Sequence, residues 1–292
     1  PRSHGAFLKI PSPNLDHQVR EGLLKLENVI FQDAPLARIA PKGLGRLTIH
    51  QADETLALRD ALATYSLSVS LELYLNPNDT HARNPVPTID LSSKGRGTLA
   101  HEWAHYLDNL LGIVAAAQRG VPRGKWQHQY LTTTPLSQML DAFEPGVVHA
   151  WAKLTEAIWG KREPYLIAFE GARTDPTVRE YVKYLKESDY YLNALTAENE
   201  NIDRPYLSKK QEMFARAFEG YVSSFFKFGD AGFLANPRET FKMYGNEPYH
   251  QYYPVGDDWR RQCAAFRNFF LELSHSRRLD KALAALGFVS AD

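Results

Sequence analysis

Two histidines four residues apart enclose a glutamate in the run Thr98-Leu99-Ala100-His101-Glu102-Trp103-Ala104-His105-Tyr106-Leu107-Asp108. On a helix turning about 100° per residue, His101 and His105 lie about 40° apart, so both imidazoles reach one cation from a single face. Glu102 leaves the axis about 100° from His101, beside that cation rather than on it, where a carboxylate takes a proton from an activated water. Imidazole and carboxylate donors at this spacing suit Zn2+ in a catalytic site that keeps one position for water. The chain holds ten histidines in 292 residues. Chance then gives roughly 0.02 such motifs, so the motif is read as chemistry rather than as two histidines on a solvated face.

Two helical histidines leave a catalytic zinc one protein ligand short. One solution places a third histidine six residues after the second, with a glycine midway. Leu111 and Asp108 stand at those positions, which excludes it. The other solution is a carboxylate from a later helix. In the helical pattern over 208–227, Met213, Phe214, Ala217, Phe218, Tyr221 and Phe225 make one apolar face, and Glu212, Arg216, Glu219 and Ser223 stack on the other. Glu212 is chosen as ligand because it faces away from the apolar stripe and has Arg216 and Glu219 one and two turns on to orient it. Glu219 and His149 compete with it, and a polar stripe of this kind is otherwise a solvated face. Asp108 falls on the histidine face, where it either holds an imidazole from behind or solvates the helix end.

The elements around these residues must position them. Leu99, Ala100, Trp103, Leu107, Leu110 and Leu111 form an apolar stripe that anchors the histidine helix, Gly95 and Gly97 loosen the chain before it, and Thr98 is read as its N-cap. Upstream, residues 1–14 read as an arm or linker, and Asp16 caps a helix over 17–32. Gly45 to His50 reads as a strand, 53–63 as a short helix, Leu67 to Leu75 as a strand, and Val86 to Leu91 as a strand entering the histidine helix. Downstream, 120–135 reads as a loop anchored by Trp126 and Tyr130. Helical patterns cover 136–160 and 176–199, then 208–227, and two helices close the chain at 258–274 and 276–286 after an aromatic loop at 244–259. The expected class is α+β, mainly helical. A small N-terminal mixed sheet lies in a lobe of about 15–120, and a helical lobe occupies about 121–292.

Composition narrows the partners. Formal net charge is zero and hydrophobic content is 44%, a globular balance that gives no electrostatic case for nucleic acid or a membrane as the main partner. The pairs Lys209-Lys210, Arg260-Arg261 and Arg277-Arg278 read as solvated helix faces. Cys263 is the one cysteine, which excludes an intrachain disulfide, and it sits in an apolar helical pattern as an inert thiol. No apolar run of about eighteen residues and no signal-peptide pattern is present. The chain opens on Pro1 and reads as a piece of something longer. Oligomeric state leaves no mark on the sequence.

The run Gly97 to Asp108, joined to Glu212-Met213-Phe214-Ala215-Arg216-Ala217-Phe218-Glu219 and to Tyr253-Pro254-Val255-Gly256-Asp257-Asp258, resembles the zincin-like metallopeptidase domain of large polyvalent proteins from phages and mobile elements. The resemblance runs from about residue 45 to 275. It departs at Ala104, where such motifs often carry glycine, and alanine is equally small. A more distant likeness is to the catalytic domain of anthrax lethal factor, a gluzincin-like site in which a glutamate on a later helix is the third ligand and a tyrosine upstream assists. That likeness implies Glu212 as ligand and Tyr206 as the assisting phenol, with His250, Tyr252 and Tyr253 of the aromatic loop as alternative donors. The resemblance implies a zincin-like fold and a zinc endopeptidase acting on protein or peptide, with Glu102 as general base. It also implies a setting in the cytoplasm of a bacterial or phage-infected host cell, or within a larger delivered protein. A catalytically silent metal-binding module and a zinc hydrolase of a non-peptide bond are the alternatives, since the motif fixes water activation and not the bond attacked.

Overall fold

The structure is a computed structural model that describes residues 7–31, 47–54, 61–68, 85–95, 97–167, 180–199, 206–227, 230–235 and 252–286, with isolated positions between 70 and 78. Among these, strands β1 (Phe7–Lys9), β2 (Thr48–Gln51), β3 (Ala63–Ser68) and β4 (Val86–Leu91) form one mixed sheet in the order β1-β2-β4-β3. β1, β2 and β4 run parallel, while β3 lies antiparallel to β4 at the edge, with Tyr65 opposite Ile89. Helix α1 (Pro13–Phe31) connects β1 to β2 and buries Leu15, Val19, Leu23, Leu26, Val29 and Ile30. These apolar positions recur at helical spacing, and Ile49, Ile89 and Leu91 meet them in the same core.

Helix α2 (Leu99–Gln118) follows the sheet and is buried on nearly every side. After it, two 3-10 turns (Arg123–His128 and Leu131–Thr133) and short helix α3 (Leu136–Met139) lead into α4 (Pro145–Trp159). A hairpin of β5 (Gly160–Ile167) and β6 (Glu180–Glu187) precedes α5 (Asp189–Asn199), α6 (Lys210–Ser223), α7 (Gly256–Ser274) and α8 (Arg277–Ala285). The fold is α+β and mainly helical with a small mixed sheet. α6 is central to the helical part. Phe218 stacks on Trp103 of α2 with ring centres 5.4 Å apart and meets Phe266 and Phe270 of α7, while Phe214 meets Trp151 of α4. Aromatic side chains supply large apolar area with defined edge and face contacts, so this cluster fixes how α2, α4, α6 and α7 lie against one another. No described helix is long and apolar enough to cross a membrane.

Several boundaries differ from the sequence reading, each for a local reason. Within the stretch read as an arm, Phe7–Lys9 pairs in parallel with β2. α1 begins at Pro13, not after Asp16. Proline suits the first helical position, and the Ser12 hydroxyl accepts the Leu15 N–H at 3.4 Å. Asp16 instead pairs with Arg20 one turn on. The strand expected at Leu67–Leu75 is Ala63–Ser68, the part that lies opposite β4. Glu72 and Leu75 are in a helical turn, where the Asn76 N–H bonds the Glu72 carbonyl at 2.8 Å. Residues 180–187, within the helical pattern expected over 176–199, form β6, where tyrosine and valine favour an antiparallel ladder with β5. Of the helix expected near 53–63, Asp53 and Glu54 are helical and 55–60 lie outside the described residues. The first half of the aromatic loop, 244–251 with His250, also lies outside them. Cys263 is half-buried against the core.

Candidate metal centre

Helix α2 enters through Gly97, whose φ of 82° is left-handed, a conformation glycine adopts without the Cβ clash other residues meet. The Gly97 and Ala100 N–H groups donate to the carbonyls of Phe233 and Leu234 at 3.2 and 2.8 Å. Backbone from a distant loop thus satisfies donors that an N-cap side chain normally takes. Thr98 does not cap: its hydroxyl donates to the Gly95 carbonyl at 2.7 Å. With the helix start fixed and Trp103 stacked on Phe218, His101 and His105 face the first turn of α6.

The imidazoles and one carboxylate converge there. His101 Nε2 and His105 Nε2 are 3.2 Å apart. Glu212 Oε2 lies 3.4 Å from His101 Nε2, and Glu212 Oε1 lies 3.5 Å from His105 Nε2. These three residues form a group that could hold a metal ion, and each is only partly buried. Glu212 Oε2 is buried with no hydrogen-bond partner among the described residues. Without a cation, two ring nitrogens and a carboxylate held this close must share protons. Burial disfavours the charged form of His101, but the Glu212 and Glu219 carboxylates overcome it and hold its pKa up to about 10. Burial likewise opposes ionised Glu212, and the two imidazoles hold its carboxyl well below the ordinary range.

Glu102 is buried and is not one of the three residues of this group. Burial pushes its carboxyl pKa up, against the pull of His101, His105 and the Tyr65 backbone N–H. Glu219 faces His101 and Tyr253. Its Oε2 lies 3.7 Å from His101 Nδ1 and accepts the Tyr253 hydroxyl at 2.8 Å. Arg216 and Glu212 attract one another through their charges. Arg216 is buried, its guanidinium donates to the Leu207 carbonyl, and it lies 5.8 Å from the Tyr206 ring centre, bracing the turn before α6. The polar stripe of α6 is therefore no solvated face: Arg216, Glu219 and Ser223 are all buried.

Asp108 does not solvate the helix end, and its charge interacts with His105. It is buried and accepts the Thr132 N–H and hydroxyl at 2.8 and 2.7 Å, tying the loop after α2 to the helix. Burial pushes its pKa up to about 6 despite those donors. His149 lies exposed on α4 and is not in the group. Tyr206 is half-exposed and lines the cleft, where burial and the Glu212 carboxylate push its pKa above the ordinary phenol value. Tyr253 also lines the cleft, while the Tyr252 carbonyl accepts the Tyr190 hydroxyl.

The cleft has a volume of about 860 Å³, and Ala61 to Tyr65, Thr98, Tyr130, Lys209 and Gln211 are also in its wall. The sequence reading missed Leu62, Tyr65, Asn109, Lys209 and the pairing of Tyr253 with Glu219. None carries a periodic signal. Gly112 alone was detectable, since a glycine inside a strong helical pattern marks a close packing contact.

Residues 198–277 match the family model described as large polyvalent protein-associated domain 1. The matched segment carries Tyr206, Glu212, Arg216, Glu219 and Tyr253 and ends within α8, while His101, Glu102 and His105 lie outside it. The match supports a large polyvalent protein context for this chain, the phage and mobile-element setting that its motifs resemble. The family description names no catalytic activity. No curated protein and no solved structure matches the chain.

Proposed function

We propose that this chain is a zinc-dependent endopeptidase in which His101, His105 and Glu212 hold the metal and Glu102 is the general base. The observation that supports this most is the approach of the two imidazole Nε2 atoms to 3.2 Å, with one Glu212 oxygen 3.4 Å from His101 Nε2 and the other 3.5 Å from His105 Nε2. Donors bonded at about 2.0–2.1 Å around a tetrahedral ion stand about 3.3 Å apart, close to the separation of the two imidazole nitrogens and of each imidazole from its nearer Glu212 oxygen, and one atom from each residue lies within 4.8 Å of the others. Two imidazoles and a carboxylate without sulfur suit zinc, and the group has three members among the described residues, as in catalytic rather than structural sites.

Zinc bound at such a site supplies Lewis acidity and brings the pKa of water toward about 7. Glu102, with a carboxyl pKa raised by burial, takes the proton of the attacking water and delivers it to the leaving amine. Its bond to the Tyr65 backbone keeps the carboxylate aimed at the cleft. The Tyr206 phenol donates to the carbonyl oxygen as charge develops on it.

A peptide substrate is favoured by β3. It is an edge strand whose Ala63, Thr64 and Tyr65 line the cleft, and an open edge accepts an extended chain through main-chain hydrogen bonds. The protein would act on polypeptides in a bacterial or infected host cytoplasm, or as part of a larger protein. Glu102→Gln tests the proposal: the variant should retain zinc and lose cleavage of unfolded protein and peptide libraries, and undiminished turnover would rule out the base.

A second reading, a catalytically silent metal-binding module, draws on the matched family's description, which names an association and no activity. Zinc binding without cleavage of any polypeptide would favour it. A base beside a three-ligand centre has no use in such a module.

A further inference from the structure

One face of α2 below the histidines is occupied in holding a loop. Asp108 accepts two bonds from Thr132. Asn109, fully buried, donates to the carbonyls of Trp126 and Gln129 at 3.0 and 2.6 Å and accepts the Tyr65 hydroxyl at 2.7 Å. At Gly112 a Cβ would stand 2.6 Å from the Gln129 oxygen and from Tyr130 Cα, so only glycine lets the loop lie this close to the helix. The Tyr130 carbonyl accepts the hydroxyls of Thr133 and Thr134 at 3.1 and 2.8 Å. The backbone is therefore fixed on both sides of Tyr130.

A loop ordinarily leaves much of its backbone to water, and so many protein bonds around one residue make its side chain a rigid fixture. That side chain does not enter the core. Tyr130 is half-buried and lines the cleft together with His105, Glu212 and Leu62, the last 51% exposed. Apart from Glu102, Glu212, Glu219 and the histidines, the charged residue lining the cleft among the described residues is Lys209. Thr64, Thr98 and Gln211 are polar parts of the wall, and the Tyr130 ring and the Leu62 side chain are surfaces that an apolar group covers favourably. The Tyr65–Asn109 bond joins the edge strand to the same turn, so the strand and Tyr130 keep one spacing.

We infer that Tyr130 selects substrates with a bulky apolar side chain next to the scissile bond, and that Asp108, Asn109 and Gly112 position it. This rests on the endopeptidase reading above. Tyr130 is the specificity residue, and the three α2 residues act through it.

The test uses the zinc-loaded full chain and a peptide series Ala-Ala-Xaa-Ala-Ala with Xaa alanine, leucine, phenylalanine, glutamate or lysine. Wild type should prefer leucine and phenylalanine. Tyr130→Ala should raise KM for those two about tenfold or more, leave KM for the alanine peptide within about twofold, and leave zinc content and Tm unchanged. Tyr130→Phe, which keeps the ring, should restore the preference. Gly112→Ala should shift KM in the same direction as Tyr130→Ala, which decides alone if the glycine variant does not fold. Kd for the alanine and leucine peptides, measured calorimetrically on Glu102→Gln with and without Tyr130→Ala, gives a readout free of turnover. A preference that survives in Tyr130→Ala overturns the inference while leaving the peptidase intact. If wild type cleaves no peptide, the endopeptidase reading fails. The Kd arm then decides Tyr130: a leucine preference lost in Tyr130→Ala supports the selective wall, and equal affinities overturn it.

Discussion

The Tyr253 hydroxyl donates to Glu219 Oε2 at 2.8 Å, and that oxygen lies 3.7 Å from His101 Nδ1. Glu219 and Tyr253 are both buried, so the carboxylate behind the imidazole is held from the segment that leads into α7. A carboxylate at Nδ1 fixes the tautomer that leaves Nε2 free to face Glu212. Replacing Glu219 by Gln, or Tyr253 by Phe, should lower zinc affinity about 10- to 100-fold and about severalfold respectively, measured by competition with a chromophoric chelator. Unchanged affinity in both variants would remove this pair from the metal centre.

Zinc binding should be strongly pH-dependent. In the metal-free chain the Glu212 and Glu219 carboxylates hold the pKa of His101 up to about 10 against the effect of burial, so below that value a metal must displace a proton. One displaced proton makes apparent affinity rise about tenfold per pH unit between about pH 6 and 8. Zinc titrations in non-coordinating buffers read this slope. A flat profile would mean that His101 is already neutral.

Asp108 should shape stability on the acid side. Its folded pKa is pushed up to about 6 from an ordinary 3.8. The folded state therefore holds the proton more tightly than the unfolded chain, and this contribution is full below about pH 4 and lost as pH rises through 6. Asp108→Asn keeps a group that can bond Thr132 and removes the titration. With chelator present, the variant should gain up to about 3 kcal/mol relative to wild type between pH 4 and 7 in urea denaturation. Parallel curves would show that Asp108 does not titrate in that range.

The aromatic cluster carries the junction between the two halves of the centre. Phe218 is fully buried and touches Trp103, Phe266 and Phe270. Phe218→Ala should cost about 3–5 kcal/mol in urea denaturation. It should also weaken zinc binding, because Trp103 sits between His101 and His105 in sequence and its stack on Phe218 sets the spacing of α2 and α6. A large stability loss with unaltered zinc affinity would separate the two roles.

Local pattern was readable where one interaction dominates. The 3.6-residue periodicity of α1, α2, α6 and α7 gave their positions, because each buries a stripe whose residues identify themselves. Val86–Leu91 was readable as a short strand from its β-branched and aliphatic residues. Ala63–Ser68 and Glu180–Glu187 were not, since a strand is completed by its partner and neither segment names β4 or β5. Thr98 has the chemistry of an N-cap, yet Phe233 and Leu234 supply the acceptors instead. Asp108, Arg216 and Glu219 were recognised as polar residues on helices, and what each one bonds was not.

His101, Glu102 and His105 share one helix, so their relation is set by 100° steps along the backbone and is a property of the sequence alone. Bringing Glu212 to them across more than a hundred residues depends on how α6 packs on α2, which the Trp103–Phe218 stack and the α7 aromatics decide. The same holds for Tyr130 and Tyr253. Helical geometry is local and repeats, whereas packing is a sum over partners distant in the chain, and only the folded core chooses among them.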